Sequence, residues 1–277
     1  MALKKIVYAV LMMGSVFSLN VHAANDSGIK VKWSYKGDIG PANWGKLDPS
    51  FRLCSTGKTQ SPINIPKKAN VTTNMLTMDY EPAEMVISDN GNTFLMLDHT
   101  ETITNTGHSV QLNFPKSAQE TISFNHHQYK LVQFHIHTPS ETKLHDKSFP
   151  LEIHFVHQGD DGSAAVVAVF AKIGKENPTL KNIINHIPTE EGKDFSIKGD
   201  RINPISLIPN EKSYYHFAGS LTTPPCTQGL EWIVLDHAIT VSSAQVDALN
   251  KASHGENARP IQALYHRQIE LAATAKR

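Results

Sequence analysis

The chain has no surplus of charge: its 277 residues carry 26 Lys+Arg against 26 Asp+Glu. A nucleic-acid binder usually shows a basic excess or a basic face, so that class is set aside. After the N-terminus, no stretch approaches the ~20 apolar residues a spanning helix needs, so the mature chain has no expected membrane partner. Cysteine is nearly absent; Cys54 and Cys226 stand alone and make poor evidence for a cysteine-built metal site. Repeats, low-complexity tracts and charge blocks long enough to form a tail are also missing, and helical signals are few and short. Hydrophobic residues make up 40%, enough for a substantial core.

One residue type stands out for its abundance. There are 15 histidines, and histidine is both the commonest metal ligand and the side chain that titrates near neutral pH. The count raises the prospect of metal or proton chemistry without saying which histidines take part.

The N-terminus reads as an export signal. Lys4 and Lys5 supply a positive start, Ile6 to Leu19 is mostly apolar, and Val21-His22-Ala23 offers small residues at the usual cleavage positions. Residues 1–23 are thus expected to be removed, leaving 24–277 as a single domain, periplasmic or secreted. Oxidising compartments favour disulfides, and one formed within this chain must join Cys54 to Cys226.

From about residue 61 to 240, short β-like runs alternate with Gly, Pro, Asn and Asp. Strands are expected at Thr93–Asp98, Ser109–Phe114, Tyr129–His137, Leu151–His157, Ala164–Ile173, Tyr214–Ala218 and Leu230–Leu235. The almost wholly apolar Ala164–Ile173 suits a central strand buried on both faces. Helices are expected at Asn177–His186 and at Ser243–Ala252, the latter capped by Ser242 or Ser243. Residues 24–60 read as an irregular arm. The fold class is therefore mainly β (α+β), one domain with short peripheral helices.

Two runs carry the chemistry, Gln133-Phe134-His135-Ile136-His137 and Glu152-Ile153-His154-Phe155-Val156-His157. Side chains alternate along a strand, so Gln133, His135 and His137 share one face, and so do Glu152, His154 and Val156. His157 falls on the other face and reads as a hydrogen-bonded core histidine. Paired as neighbours, the two strands bring three imidazoles together. Three nitrogen ligands with an open fourth position describe a catalytic zinc site rather than a structural one, though three imidazoles also bind cobalt or copper. Gln133 and Glu152, each two residues before a ligand, are placed to hold the outer ring nitrogens.

These runs stand in an ordered series of motifs: Trp33-Ser34-Tyr35, Gly40-Pro41-Ala42-Asn43-Trp44, Gln60-Ser61-Pro62-Ile63-Asn64, Thr138-Pro139-Ser140-Glu141, Ser220-Leu221-Thr222-Thr223-Pro224-Pro225-Cys226 and Asn257-Ala258-Arg259-Pro260. The series resembles the alpha class of carbonic anhydrases over nearly the whole mature chain. The resemblance implies a large, mostly antiparallel, twisted central sheet with a zinc ion at the bottom of a conical cleft. It implies reversible hydration of carbon dioxide to bicarbonate by zinc-hydroxide attack. His135, His137 and His154 would hold Zn2+, and Gln133, Glu152 and the Asn257 carbonyl would orient them. Thr222, donating to Glu141, would aim the nucleophile; Thr223 and the Thr222 N–H would steady bicarbonate. Val156, Val166, Leu221 and Trp232 would form the apolar wall for carbon dioxide. His108, in Asn105-Thr106-Gly107-His108, would shuttle the proton, with Asp89-Asn90-Gly91-Asn92 the competing segment for that place. Cys54 and Cys226 would match the disulfide of secreted members. Sulfonamides and small anions would inhibit, and a monomer or homodimer is expected. Thr142 departs from the family pattern, in which many relatives have a histidine after the glutamate.

Overall fold

The computed structural model describes residues 31–80, 83–85, 102–114, 119–188, 194–195 and 200–272. The export signal, the expected strand Thr93–Asp98 and the Asp89–Asn92 segment lie outside them. Among the described residues, thirteen strands join one large sheet. Its spatial order runs Asp194–Phe195, Thr102–Asn105, Val110–Asn113, His127–His137, Leu151–Gly159, Ala164–Ile173, Gln228–Leu235, Tyr214–Ser220, Glu270–Ala272 and Asn70–Thr72. Most pairings are antiparallel, as expected. Ala164–Ile173 departs from this by pairing parallel with Gln228–Leu235 and with Ile239–Val241.

The expected strands other than Thr93–Asp98 appear within a residue or two, because alternation and apolar runs report burial directly. Ala164–Ile173 has the predicted bounds, and its first eight residues are buried. Helix Pro178–Asn185 starts at a proline, with Asn177 accepting from the Thr179 and Leu180 backbone N–H groups. Helix Ser243–Ala252 is capped by Ser242 in a capping box with Gln245. Gln245 also bonds both backbone polar groups of Asn177, tying the two helices together.

The sheet divides the interior. Ile153, Phe155, Phe134, Ile136, Val167 and Val169 point into a core on one face. Val156, Val166, Ala168, Phe217 and Trp232 point to the other, under the cleft. A third cluster gathers Trp33, Trp44 and Phe51 around Cys54 and Cys226. The expected arm is thus packed by aromatics and anchored by the Cys54–Cys226 disulfide. The bridge spans 172 residues, for which chain entropy gives roughly 5 kcal/mol.

Candidate metal centre and cleft

His135 and His137 leave the strand His127–His137 on one face, and His154 leaves Leu151–Gly159 directly opposite His135. Their ligating nitrogens all lie within 4.8 Å of one another. His137 and His154 are buried and His135 is partly open. Edge-on contact with Trp232, at 4.9 Å between ring centroids, fixes the His154 plane from the side.

Each ring has an acceptor behind it. His135 Nδ1 is 2.7 Å from Gln133 Oε1, and His137 Nδ1 is 2.7 Å from the Asn257 carbonyl. Glu152 Oε1 stands 3.1 Å from His154 Nε2, close but off the line of a hydrogen bond, so both atoms are left unpaired. The two hydrogen bonds put the ring protons of His135 and His137 at the rear and leave His135 Nε2 and His137 Nε2 as forward lone pairs; His154 Nδ1 is the nitrogen on the side away from Glu152. Burial and mutual proximity hold His135 and His154 well below the usual imidazole range, and burial lowers His137. All three are therefore neutral near pH 7, the form that binds a metal.

Glu141 lies beneath the triad, with Oε2 3.4 Å from His137 Nε2 and 3.9 Å from His154 Nδ1. Burial pushes its carboxyl up to about 8, against the pull of the Arg259 backbone N–H and the Thr222 hydroxyl. That N–H donates to Glu141 Oε1 at 2.8 Å. The sequence reading named Arg259 only as part of a motif; its main-chain contribution carries no side-chain signal. The Arg259 guanidinium donates to Gln60 Oε1 and to the carbonyls of Ser61 and Cys54, locking the arm to the site.

Val156, Val166, Leu221 and Trp232 line the cleft together with the triad, as do Thr222 and Thr223. Thr106, Ser109, Gln111 and His108 also line the cleft. His108 stacks on Trp33 at 3.9 Å, and Tyr35 meets it edge-on. Trp33 and Tyr35 also line the cleft, a part that sequence spacing did not assign to them. His157 faces the opposite core, fully buried, with Nε2 2.5 Å from the Tyr80 hydroxyl.

A curled sheet carrying a cleft floored by three neutral imidazoles, backed by carboxylates and walled by apolar side chains, defines a protein with a three-histidine metal-binding type of site. Comparison with known proteins narrows the class. The family model described as eukaryotic-type carbonic anhydrase matches residues 39–273. A carbonic anhydrase of Pectobacterium atrosepticum is 38% identical over 262 residues, 94% of this chain and 96% of the relative. Among solved structures, the Photobacterium profundum alpha-carbonic anhydrase matches with a TM-score of 0.75 and 37% identity, over 86% of this chain and 100% of that one. The alpha-carbonic anhydrase from Thermovibrio ammonificans, solved in complex with the inhibitor sulfanilamide, matches with a TM-score of 0.77 and 33% identity, over 87% and 99%. The chain belongs to the alpha (eukaryotic-type) carbonic anhydrase family, a lyase family whose general reaction is the hydration of carbon dioxide.

Proposed function

We propose that this chain hydrates carbon dioxide reversibly at a zinc ion held by His135, His137 and His154, and that His108 passes the released proton to solvent. The observation that carries the reading is the donor set: three neutral imidazoles with rear acceptors and converging forward nitrogens, one of them (His137 Nε2) buried without a hydrogen-bond partner. That set fits a catalytic zinc, which when bound activates water near neutral pH and acts as a Lewis acid.

The protein's own groups do the rest. Gln133, Glu152 and the Asn257 carbonyl hold the ring tautomers. Glu141 accepts from the Thr222 hydroxyl, which leaves the Thr222 oxygen as acceptor only toward the cleft and so selects the orientation of a nucleophile there. A nearby dication lowers the Glu141 pKa and keeps it the acceptor in that pair. Thr223 and the Thr222 N–H steady bicarbonate. Val156, Val166, Leu221 and Trp232 offer an apolar rest for an uncharged substrate that gains little from charged contacts. Sulfonamides and small anions compete at the same place; the sulfanilamide complex of the Thermovibrio relative supports this. The expected setting is the periplasm or the exterior after removal of residues 1–23, as a monomer or homodimer.

The test is stopped-flow carbon dioxide hydration by the protein from Ala24, with metal content measured on the same sample. Hydration with one zinc per chain supports the reading; a zinc-loaded but inactive protein, or an active zinc-free one, overturns it.

A further inference from the structure

Strand Tyr214–Ser220 stands near one end of the large sheet, with Gln228–Leu235 on its inner side and Glu270–Ala272, then Asn70–Thr72, on its outer side. The two outer strands are three residues each, so few ladder bonds hold them and side-chain ties carry more weight. His216 is directly opposite Glu270 in the outer pairing; in the inner one Glu231 is opposite Ala218, diagonal to His216. Diagonal neighbours share a face and come within reach of long side chains. Both ring nitrogens are engaged: Nε2 lies 2.5 Å from Glu231 Oε2, and Nδ1 lies 3.1 Å from Glu270 Oε2. The same Glu270 oxygen accepts from Asn74 Nδ2 at 2.8 Å, and the Asn74 carbonyl accepts from the Tyr214 hydroxyl at 2.8 Å. Glu270 is thus the hub that ties segment 70–74 and the outer strand to His216.

A neutral imidazole has one N–H to donate, and only the imidazolium has two. The ring therefore serves both carboxylates only when it is charged. When one proton leaves, the shorter contact keeps the remaining N–H on Nε2 toward Glu231, and the Nδ1 lone pair is left facing Glu270. The outer tie is the one that fails. Burial lowers the His216 pKa, but hydrogen bonds and charge from Glu231 and Glu270 outweigh it and raise the group above 6.5. Phe124 packs an uncharged ring against it at 4.8 Å between centroids. Burial pushes Tyr214, which feels the Glu270 charge, up to about 12, and raises Tyr129, which feels Glu231. Neither phenol gains charge where the imidazole loses its own. With the folded value above the unfolded one, the tie is fully present below pH 6.5 and is lost as pH rises through the folded value.

We propose that His216 is a pH-sensitive latch for the outer edge of the sheet: doubly protonated, it fastens Glu270–Ala272 and segment 70–74, and the loss of one proton in alkali releases them. The carboxylates are partly exposed, 38% for Glu231 and 34% for Glu270, so water takes up part of the loss and the edge loosens rather than unfolds.

The experiment compares wild type, His216→Gln and Glu270→Gln, each from Ala24. The His216 ring is titrated by NMR, its signals assigned by their loss in His216→Gln. Hydrogen exchange of the Glu270–Ala272 and Asn70–Thr72 amides is followed at about pH 6 and about pH 9, corrected for the intrinsic rate and referred to the Ala164–Ile173 amides. In wild type, protection of the edge amides is expected to fall roughly 3- to 10-fold between the two conditions. His216→Gln shows the low level at both, and Glu270→Gln moves the ring titration downward. Edge protection that holds in wild type, or that falls equally in His216→Gln, overturns the latch. So does a wild-type His216 ring that titrates at or below 6.5. If His216→Gln also loses the Ala164–Ile173 protection and so fails to fold, the wild-type titration and Glu270→Gln still decide. None of these readouts involves the metal site, so the latch and the zinc reading stand or fall separately.

Discussion

Replacing Asn257 by alanine tests how the site is bolted to the sheet. The Asn257 side chain is fully buried and makes three hydrogen bonds. Its Oδ1 accepts from the Thr138 N–H at 2.8 Å, and its Nδ2 donates to the carbonyls of His108 and Ile136 at 2.9 and 3.0 Å. Those groups belong to the His108 turn, the end of the first ligand strand and the turn that follows it. The losses are unequal. The Ile136 carbonyl keeps the Ser109 hydroxyl at 2.6 Å, and the His108 carbonyl is only part-buried. The Thr138 N–H, in a residue 2% exposed, loses its side-chain acceptor. One buried orphan at about 1–3 kcal/mol, plus a smaller loss at His108, gives about 2–4 kcal/mol. For a chain of this size that is roughly a 5–15 °C fall in Tm. Urea and thermal unfolding at pH 7 with the disulfide intact measure the free energy and the Tm. Asn257→Asp should cost more at that pH, since it keeps the Thr138 acceptor but sets an unpaired carboxylate oxygen against two carbonyls. The penalty in Asn257→Asp should shrink in acid as the carboxyl gains a proton to donate. A Tm within 2 °C of wild type for Asn257→Ala would refute the reasoning.

The remaining predictions concern the proton path, acid stability and the crosslink. His108→Ala should lower carbon dioxide turnover by about 100-fold in weak buffer, with kcat/KM nearly unchanged and turnover restored by added imidazole; unchanged turnover in weak buffer would remove His108 from the path. Burial lowers His157 to about 3 from an ordinary 6.5. Between those values the unfolded chain binds the extra proton, so its contribution to stability is complete above pH 6.5 and is lost as pH falls toward 3, at up to about 1.4 kcal/mol per pH unit. The pH dependence of urea unfolding in His157→Gln should be shallower than wild type between pH 6 and 4 by up to that amount, and an identical slope would refute the assignment. The Cys54→Ser, Cys226→Ser double variant should lose about 2–5 kcal/mol in urea unfolding, and a loss below 1 kcal/mol would show that the reduced chain already holds the loop closed.

Much of the ligand geometry was legible because strand side chains alternate strictly. Once two neighbouring runs each present His at a facing position, convergence follows from parity, and Gln133 and Glu152 fall behind the rings by the same rule. His157 was separable from His154 for that reason alone; an odd offset sends it to the opposite core. Helix limits were equally local, since Asn177 before Pro178 and Ser242 before Gln245 satisfy backbone N–H groups within their own turns. Other features had no local signal. The Arg259 contact with Glu141 is made by a main-chain N–H 118 residues away, which any residue but proline offers. The stack of Trp33 on His108 joins segments that share no periodicity, and the Asn257 bolt reaches back 149 residues to the His108 carbonyl.

The sequence by itself therefore determined the six long or strongly patterned strands named from it that lie in the described residues, their buried faces, the two capped helices and the set of residues able to hold a metal. Each depends on neighbours a few positions away, while short strands such as Asn70–Thr72 and Glu270–Ala272 carried too little pattern. Only the tertiary structure decided the parallel pairing of Ala164–Ile173 with Gln228–Leu235 and the burial that keeps the imidazoles neutral and raises Glu141. Sheet order is a choice among strands with similar patterns. Desolvation and hydrogen-bond satisfaction depend on everything packed around a group, and neither is set until the chain has closed over the site.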